Sequence, residues 1–108
     1  MSKTIVEMLD IIRNLENADA ITLIAKLFEE GGELAEATLA DAGYLKHKGP
    51  LTERAMGECA DVFIVTLGVM AKLKQHENLT SQEVADLFAA QITKKFTKYE
   101  NIMIDYNP

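Results

Sequence analysis

Cys59-Ala-Asp-Val-Phe-Ile-Val-Thr-Leu-Gly-Val-Met-Ala71 is the stretch on which the fold turns. Val62, Phe63, Ile64 and Val65 have the side chains of a buried strand. Length argues otherwise, because a strand usually runs to only about five or six residues. The flanking sequence keeps helical composition and spacing, so the segment is expected to be the middle of a helix from about Thr52 to Gln75. Such a helix is apolar almost all round and must be surrounded by protein. Three partner helices from one small chain cover it only partly, which places it in an expected oligomer interface.

Working outward toward the N-terminus, Gly43 to Leu51 reads as a loop broken at Gly49-Pro50. Before it, a helix from about Ala20 to Ala42 has Asp19 as its N-cap and Gly43 just past its end. Leu23, Leu27, Leu34 and Thr38 form its stripe. A first helix from about Thr4 to Leu15 opens with Thr4-x-x-Glu7, a capping box in which each side chain satisfies an open backbone donor. Ile5, Met8, Leu9, Ile12 and Leu15 share its face.

Toward the C-terminus, Thr80-x-x-Glu83 is a second capping box, before a helix from about Ser81 to Tyr99. Val84, Leu87, Phe88, Gln91, Ile92 and Phe96 form its apolar face. The tail from Ile102 to Pro108 turns from apolar to polar and is expected to pack on a neighbour. No repeat, low-complexity segment or linker interrupts the chain, so residues 1–108 are read as a single all-α domain, a four-helix bundle assembled as a homo-oligomer.

The totals agree. The chain has 108 residues, 48% hydrophobic and 26% charged, with six Gly and two Pro, which suits one helical domain. Its formal net charge of −6 argues against a nucleic-acid polymer as partner, since phosphate neutralisation needs a basic face. Bound divalent metal would still admit a nucleotide. Cys59 is the only cysteine, so no disulfide forms within the chain and the thiol is expected to be a small buried residue. Met1 to Glu7 lack the apolar core of a signal peptide. The Cys59–Leu73 stretch is short for a membrane span and contains Asp61 and Lys72. A soluble cytoplasmic protein without a membrane partner is expected, so the Asn78-Leu-Thr80 sequon carries no weight. His47 and His76 stand alone.

Two acidic pairs carry the chemistry. Residues three or four apart on a helix share a face, with Cβ atoms about 5–6 Å apart. Glu30 and Glu33 are such a pair on the second helix, and Glu58 and Asp61 on the third. At about 100° per residue, Glu30 falls beside Leu23 and Leu34, and Glu58 beside Val62, Val65 and Val69. All four acids therefore point toward a helix–helix seam, whereas Glu29 and Glu36 fall on the opposite side. Unpaired carboxylates at a seam are costly, and like charges raise one another's pKa. An all-oxygen ligand set suits a hard cation, Mg2+ first and Mn2+ next. The plain alternative is a solvated acidic face, with Lys26 paired to Glu29 or Glu30 and Arg54 paired to Glu58.

Leu27-Phe-Glu-Glu-Gly-Gly-Glu-Leu-Ala-Glu-Ala37 followed by Gly57-Glu-Cys-Ala-Asp-Val-Phe63 resembles the MazG-like all-α nucleoside triphosphate pyrophosphohydrolases. The family pattern is Glu-Glu-x-x-Glu on one helix and Glu-x-x-Asp on the next, and the likeness covers about Ala20 to Ala71. It implies a helical bundle assembled as a homodimer or homotetramer. It implies Mg2+-dependent hydrolysis of a nucleoside triphosphate to the monophosphate and pyrophosphate, with metal ligands at Glu30, Glu33, Glu58 and Asp61. Glu29 matches the first Glu of the motif, which implies a further metal or orientation of the attacking water, although the wheel sets Glu29 away from the seam.

Cations for the phosphates are sought at Lys95 and Lys98, beside Lys94 near the end of the fourth helix, where the family often carries Lys and Arg. Lys26 is a further candidate, and Lys46-His47-Lys48 in the loop another. Lysines there also suit a helix C-terminus. No glycine-rich phosphate loop is present.

Three alternatives stand beside this expectation. One is a related pyrophosphohydrolase for dUTP, dCTP or phosphoribosyl-ATP. Another is a di-iron carboxylate bundle, which needs Glu-x-x-His pairs; Tyr44 and Leu73 occupy the positions three before His47 and His76. The last is a non-enzymatic helical adaptor.

Overall fold

A computed structural model describes residues 3–46 and 51–107. The order of elements is α1 (Ile5–Leu15), α2 (Ala20–Asp41), α3 (Leu51–Lys72), a 3-10 turn (Lys74–His76) and α4 (Ser81–Tyr106). No strand occurs among the described residues, and none of their helices is long and apolar enough to cross a membrane.

The helix starts follow from their caps. Thr4 and Thr80 each accept from the backbone N–H three residues on, at 3.1 Å, while Glu7 and Glu83 reach back to the cap N–H. Asp19 accepts from the Thr22 N–H at 2.8 Å. These bonds satisfy donors that the first turn leaves open. α2 ends where expected: Gly43 adopts φ +89°, a left-handed conformation that favours glycine.

The Val62–Val65 run is helical, as its length argued. α3 is the hub. Along one side it packs on α2, where Leu23, Ala37 and Ala40 are buried against the seam. Gly68 permits the close approach there, since a Cβ at that position would lie 3.2 Å from Leu23 Cδ1. On its other side Leu67 and Ala71 join Leu9 of α1 and Val84 of α4 in the core. Leu9, Leu67 and Val84 are fully buried, each contributing about 1.5–3 kcal/mol of hydrophobic stabilisation.

Polar bonds lock the α3–α4 connection to α1. Arg13 donates to the carbonyls of Leu79 (2.7 Å) and His76 (3.3 Å). Lys72 donates to the Glu16 carbonyl at 2.7 Å, and Ser81 donates to Asp10.

Three expectations change. The wheel picked Thr38 for the α2 stripe, but Thr38 is exposed and bonds its hydroxyl back to the Leu34 carbonyl, while the smaller Ala37 and Ala40 are buried. Cys59 is exposed rather than buried. The tail is not a separate segment: α4 continues through it to Tyr106, and residues 89–107 are exposed on every side. Within one chain, then, the four helices do not close a bundle around one axis.

Candidate metal centre

The glutamates come together across the α2–α3 seam. Glu30 and Glu33 sit one turn apart on α2, and Glu58 faces them from α3. One carboxylate oxygen from each lies within 4.8 Å of the other two. Glu30 and Glu58 are half-buried, and Oε2 of each is sealed from solvent with no hydrogen-bond partner. Glu33 is exposed and forms the open side of the group.

Burial, first, and then the charges of Glu33 and Asp61 push the Glu30 carboxyl above the usual glutamate range. The same causes raise Glu58, partly offset by the Arg54 guanidinium one turn earlier. Asp61 is exposed, one turn beyond Glu58, and close enough for its charge to act on both half-buried acids. Its carboxylate does not belong to the group of three converging oxygens.

The residues fit a divalent cation. Sealed carboxylate oxygens without donors are costly unless a positive centre meets them. Mg2+ holds oxygen ligands at about 2.1 Å, so two ligands of one ion stand at most about 4.2 Å apart. The observed spread closes to that with small side-chain rotations. An all-carboxylate set suits Mg2+ or Mn2+ over softer metals.

Arg54 was read from sequence only as a surface partner of Glu58. It instead crosses the seam to Glu36, with Nη2 3.4 Å from Glu36 Oε1, and its side chain is only 18% exposed. Nη1 is buried without a partner. Glu36 therefore lies at the seam's edge rather than opposite it, because the buried Ala37 and Ala40 turn that flank of α2 toward α3. Arg54 shares its helix face with Glu58, Asp61 and Val65, which puts it on the seam side of α3, but helical spacing alone does not name its partner on α2.

The other expected residues lie apart from this group. Glu29 is exposed on α2, as the wheel placed it. Lys26 is exposed one turn before Glu30 and forms no ion pair; Arg54–Glu36 is the only one among the described residues. Lys94, Lys95 and Lys98 lie on the exposed part of α4, and no hydrogen bond or ion pair joins them to the acids. Lys46 is exposed, and His47 and Lys48 lie outside the described residues. Compared with known proteins, the chain matches no family model, no curated protein and no solved structure.

Proposed function

We propose that this protein is a Mg2+-dependent, MazG-like nucleoside triphosphate pyrophosphohydrolase, releasing pyrophosphate and the nucleoside monophosphate. The observation that carries this is the convergence of Glu30, Glu33 and Glu58 with two sealed, donorless oxygens among them. Their spacing is that of the Glu-Glu-x-x-Glu and Glu-x-x-Asp pattern the sequence resembles. A solvated acidic face would leave its oxygens in water.

Glu30, Glu33 and Glu58 would hold the ion, with Asp61 beside them as the fourth carboxylate of the motif. When bound, Mg2+ (or Mn2+) neutralises the negative charge that builds on the triphosphate as the bond to the leaving pyrophosphate breaks. Arg54 acts as a positioning residue, balancing Glu58 and fixing it against α2 through Glu36. Water attacks the α-phosphorus and its proton is released to solvent, while the bond to the bridging oxygen breaks and that oxygen departs with pyrophosphate. The carboxylates would hold the ion that positions the triphosphate, and such positioning supplies most of what this transfer asks of a protein. Glu29 serves, at most, from outside the group. Lys26, Lys95 and Lys98 remain the proposed phosphate cations. A homodimer or homotetramer in the cytoplasm completes the picture.

The test is pyrophosphate release from a panel of ribo- and deoxyribonucleoside triphosphates, with dUTP, dCTP and phosphoribosyl-ATP included, in Mg2+ or Mn2+. Metal-dependent release from at least one, lost in Glu58→Gln, is the expected result. No release from any of them sinks the proposal and favours the adaptor.

A further inference from the structure

The α2–α3 seam continues past the carboxylates. Arg54 meets Glu36 at one end and Gly68 lies against Leu23 at the other, so the two helices run antiparallel. Leu23 stands seven residues before Glu30 and Val65 seven residues after Glu58, and both steps lead the same way along the seam. At about 1.5 Å per residue, that point is roughly 10 Å from the carboxylates. There a pocket of about 80 Å³ opens between α1, α2 and α3.

The buried Leu23, Val65 and Gly68 form its floor, Ile64 its wall, and the exposed Glu16 and Lys26 its charged rim. Two bonds hold the rim in place. Lys72 donates to the Glu16 carbonyl at 2.7 Å, which ties the end of α1 over α3, and the Glu16 carboxylate accepts from the Ala18 N–H at 3.0 Å. At about 100° per residue, Lys26 falls beside Glu33, the open member of the carboxylate group, and Gly68 falls beside Asp61. The pocket and the open side of that group therefore share one flank of the seam.

A ligand that reaches both places has a polyanionic end, a spacer and a flat ring. In a nucleotide, about six bonds of about 1.5 Å separate the α-phosphorus from the base, a reach on the order of 7 Å, and the step from ion to phosphorus adds the rest. The apolar floor suits the ring, and the Glu16 carboxylate can accept from a ring N–H or an amino group. Lys26, one turn before Glu30, stands at the phosphate end. Size then selects the base. An apolar cavity of about 150 Å³ takes one benzene ring. A pocket of about 80 Å³ admits the edge of a single ring and has no room for a fused second one. We infer that this pocket is the base subsite of the proposed hydrolase and selects pyrimidine nucleoside triphosphates, with Ile64 as the wall against purines and Glu16 as the acceptor for the base. The inference rests on the proposed triphosphate reaction.

Binding calorimetry in Mg2+ tests this apart from turnover. The probes are α,β-methylene analogues of UTP, CTP, ATP and GTP, which resist cleavage at that bond, and inorganic tripolyphosphate, which has no base. The native chain is expected to bind the pyrimidine analogues at least about tenfold more tightly than the purine ones. Ile64 is 51% exposed, so Ile64→Ala should keep the fold, with helical circular dichroism as the check. It should bring the purine analogues to within about threefold of the pyrimidine ones, and Glu16→Gln should weaken the pyrimidine analogues about tenfold. Neither variant should change tripolyphosphate binding. Equal native binding of all four analogues, or a preference that Ile64→Ala leaves unmoved, overturns the inference; if tripolyphosphate still binds, the triphosphate site survives it. A pyrimidine preference without pyrophosphate release from UTP or CTP keeps the base pocket and sinks the hydrolase. No binding of any probe overturns both.

Discussion

Glu30 and Glu58 are costly residues for the folded chain. Each has its carboxyl raised by burial and by neighbouring acids, so the folded chain holds these protons to higher pH than the unfolded chain does. Below the usual glutamate range both states are protonated and the two acids cost nothing. As pH climbs through the raised pKa values the folded state loses stability relative to the unfolded one. Glu7 and Asp19 act oppositely: backbone and side-chain hydrogen bonds from Thr4 and Thr22 lower them, so their stabilisation is present at neutral pH and lost on acidification. A Glu30→Gln/Glu58→Gln variant cancels the second effect in comparison with the native chain. Without metal, its melting temperature should exceed the native one by a margin that grows as pH rises above the usual glutamate range. Added Mg2+ should raise the native melting temperature and leave the variant's unchanged. A margin that shrinks with pH contradicts the assignment. In the native background, Glu33→Gln or Glu58→Gln should lower turnover about a hundredfold or more, since even outer partners of metal ligands cost about 10–100-fold. Helix content should be retained. At this scale helical spacing made the acids legible in sequence, because one turn of helix fixes which side chains share a face. Arg54 was not, because a salt bridge between helices depends on how far each is rotated, and that is set by the burial of Ala37 and Ala40.

At the scale of elements, the helix starts were legible because capping is local chemistry. Replacing Thr80 with Ala should cost about 1 kcal/mol by denaturant titration, as Thr80 caps the helix that carries the core residue Val84. Gly31 and Gly32 are a different matter. Both lie inside α2, and a Cβ at either would meet nothing within 4 Å. Ala there should stabilise the chain by about 0.5–1 kcal/mol each, by reducing the freedom lost on folding. A destabilised variant would show that something packs on that bare strip of helix beside Glu30 and Glu33. The end of α4 was misplaced for a physical reason. Its lysines, Glu100 and Asn101 thin the apolar pattern after Phe96, and nothing in the chain's own core requires the last turns.

For the whole molecule, the all-α class was legible because composition, caps and length all favoured helix. The openness of the single chain was not, because it depends on which faces the helices leave uncovered once they pack. Ile64 on α3 and Ile24 on α2 are exposed, as are the last turns of α4. If assembly covers such surfaces, thermal stability must depend on protein concentration, with the melting temperature rising as the chain is concentrated. A melting temperature independent of concentration contradicts an assembled native state.

In the proposed function, the carboxylate group on α2 and α3 directs water to the α-phosphorus of a nucleoside triphosphate. Hydrolysis in heavy-oxygen water with Mg2+, followed by mass spectrometry of both products, tests it most directly. The label is expected to enter the nucleoside monophosphate and to leave pyrophosphate unlabelled. Label in pyrophosphate, or no metal-dependent product at all, would contradict it.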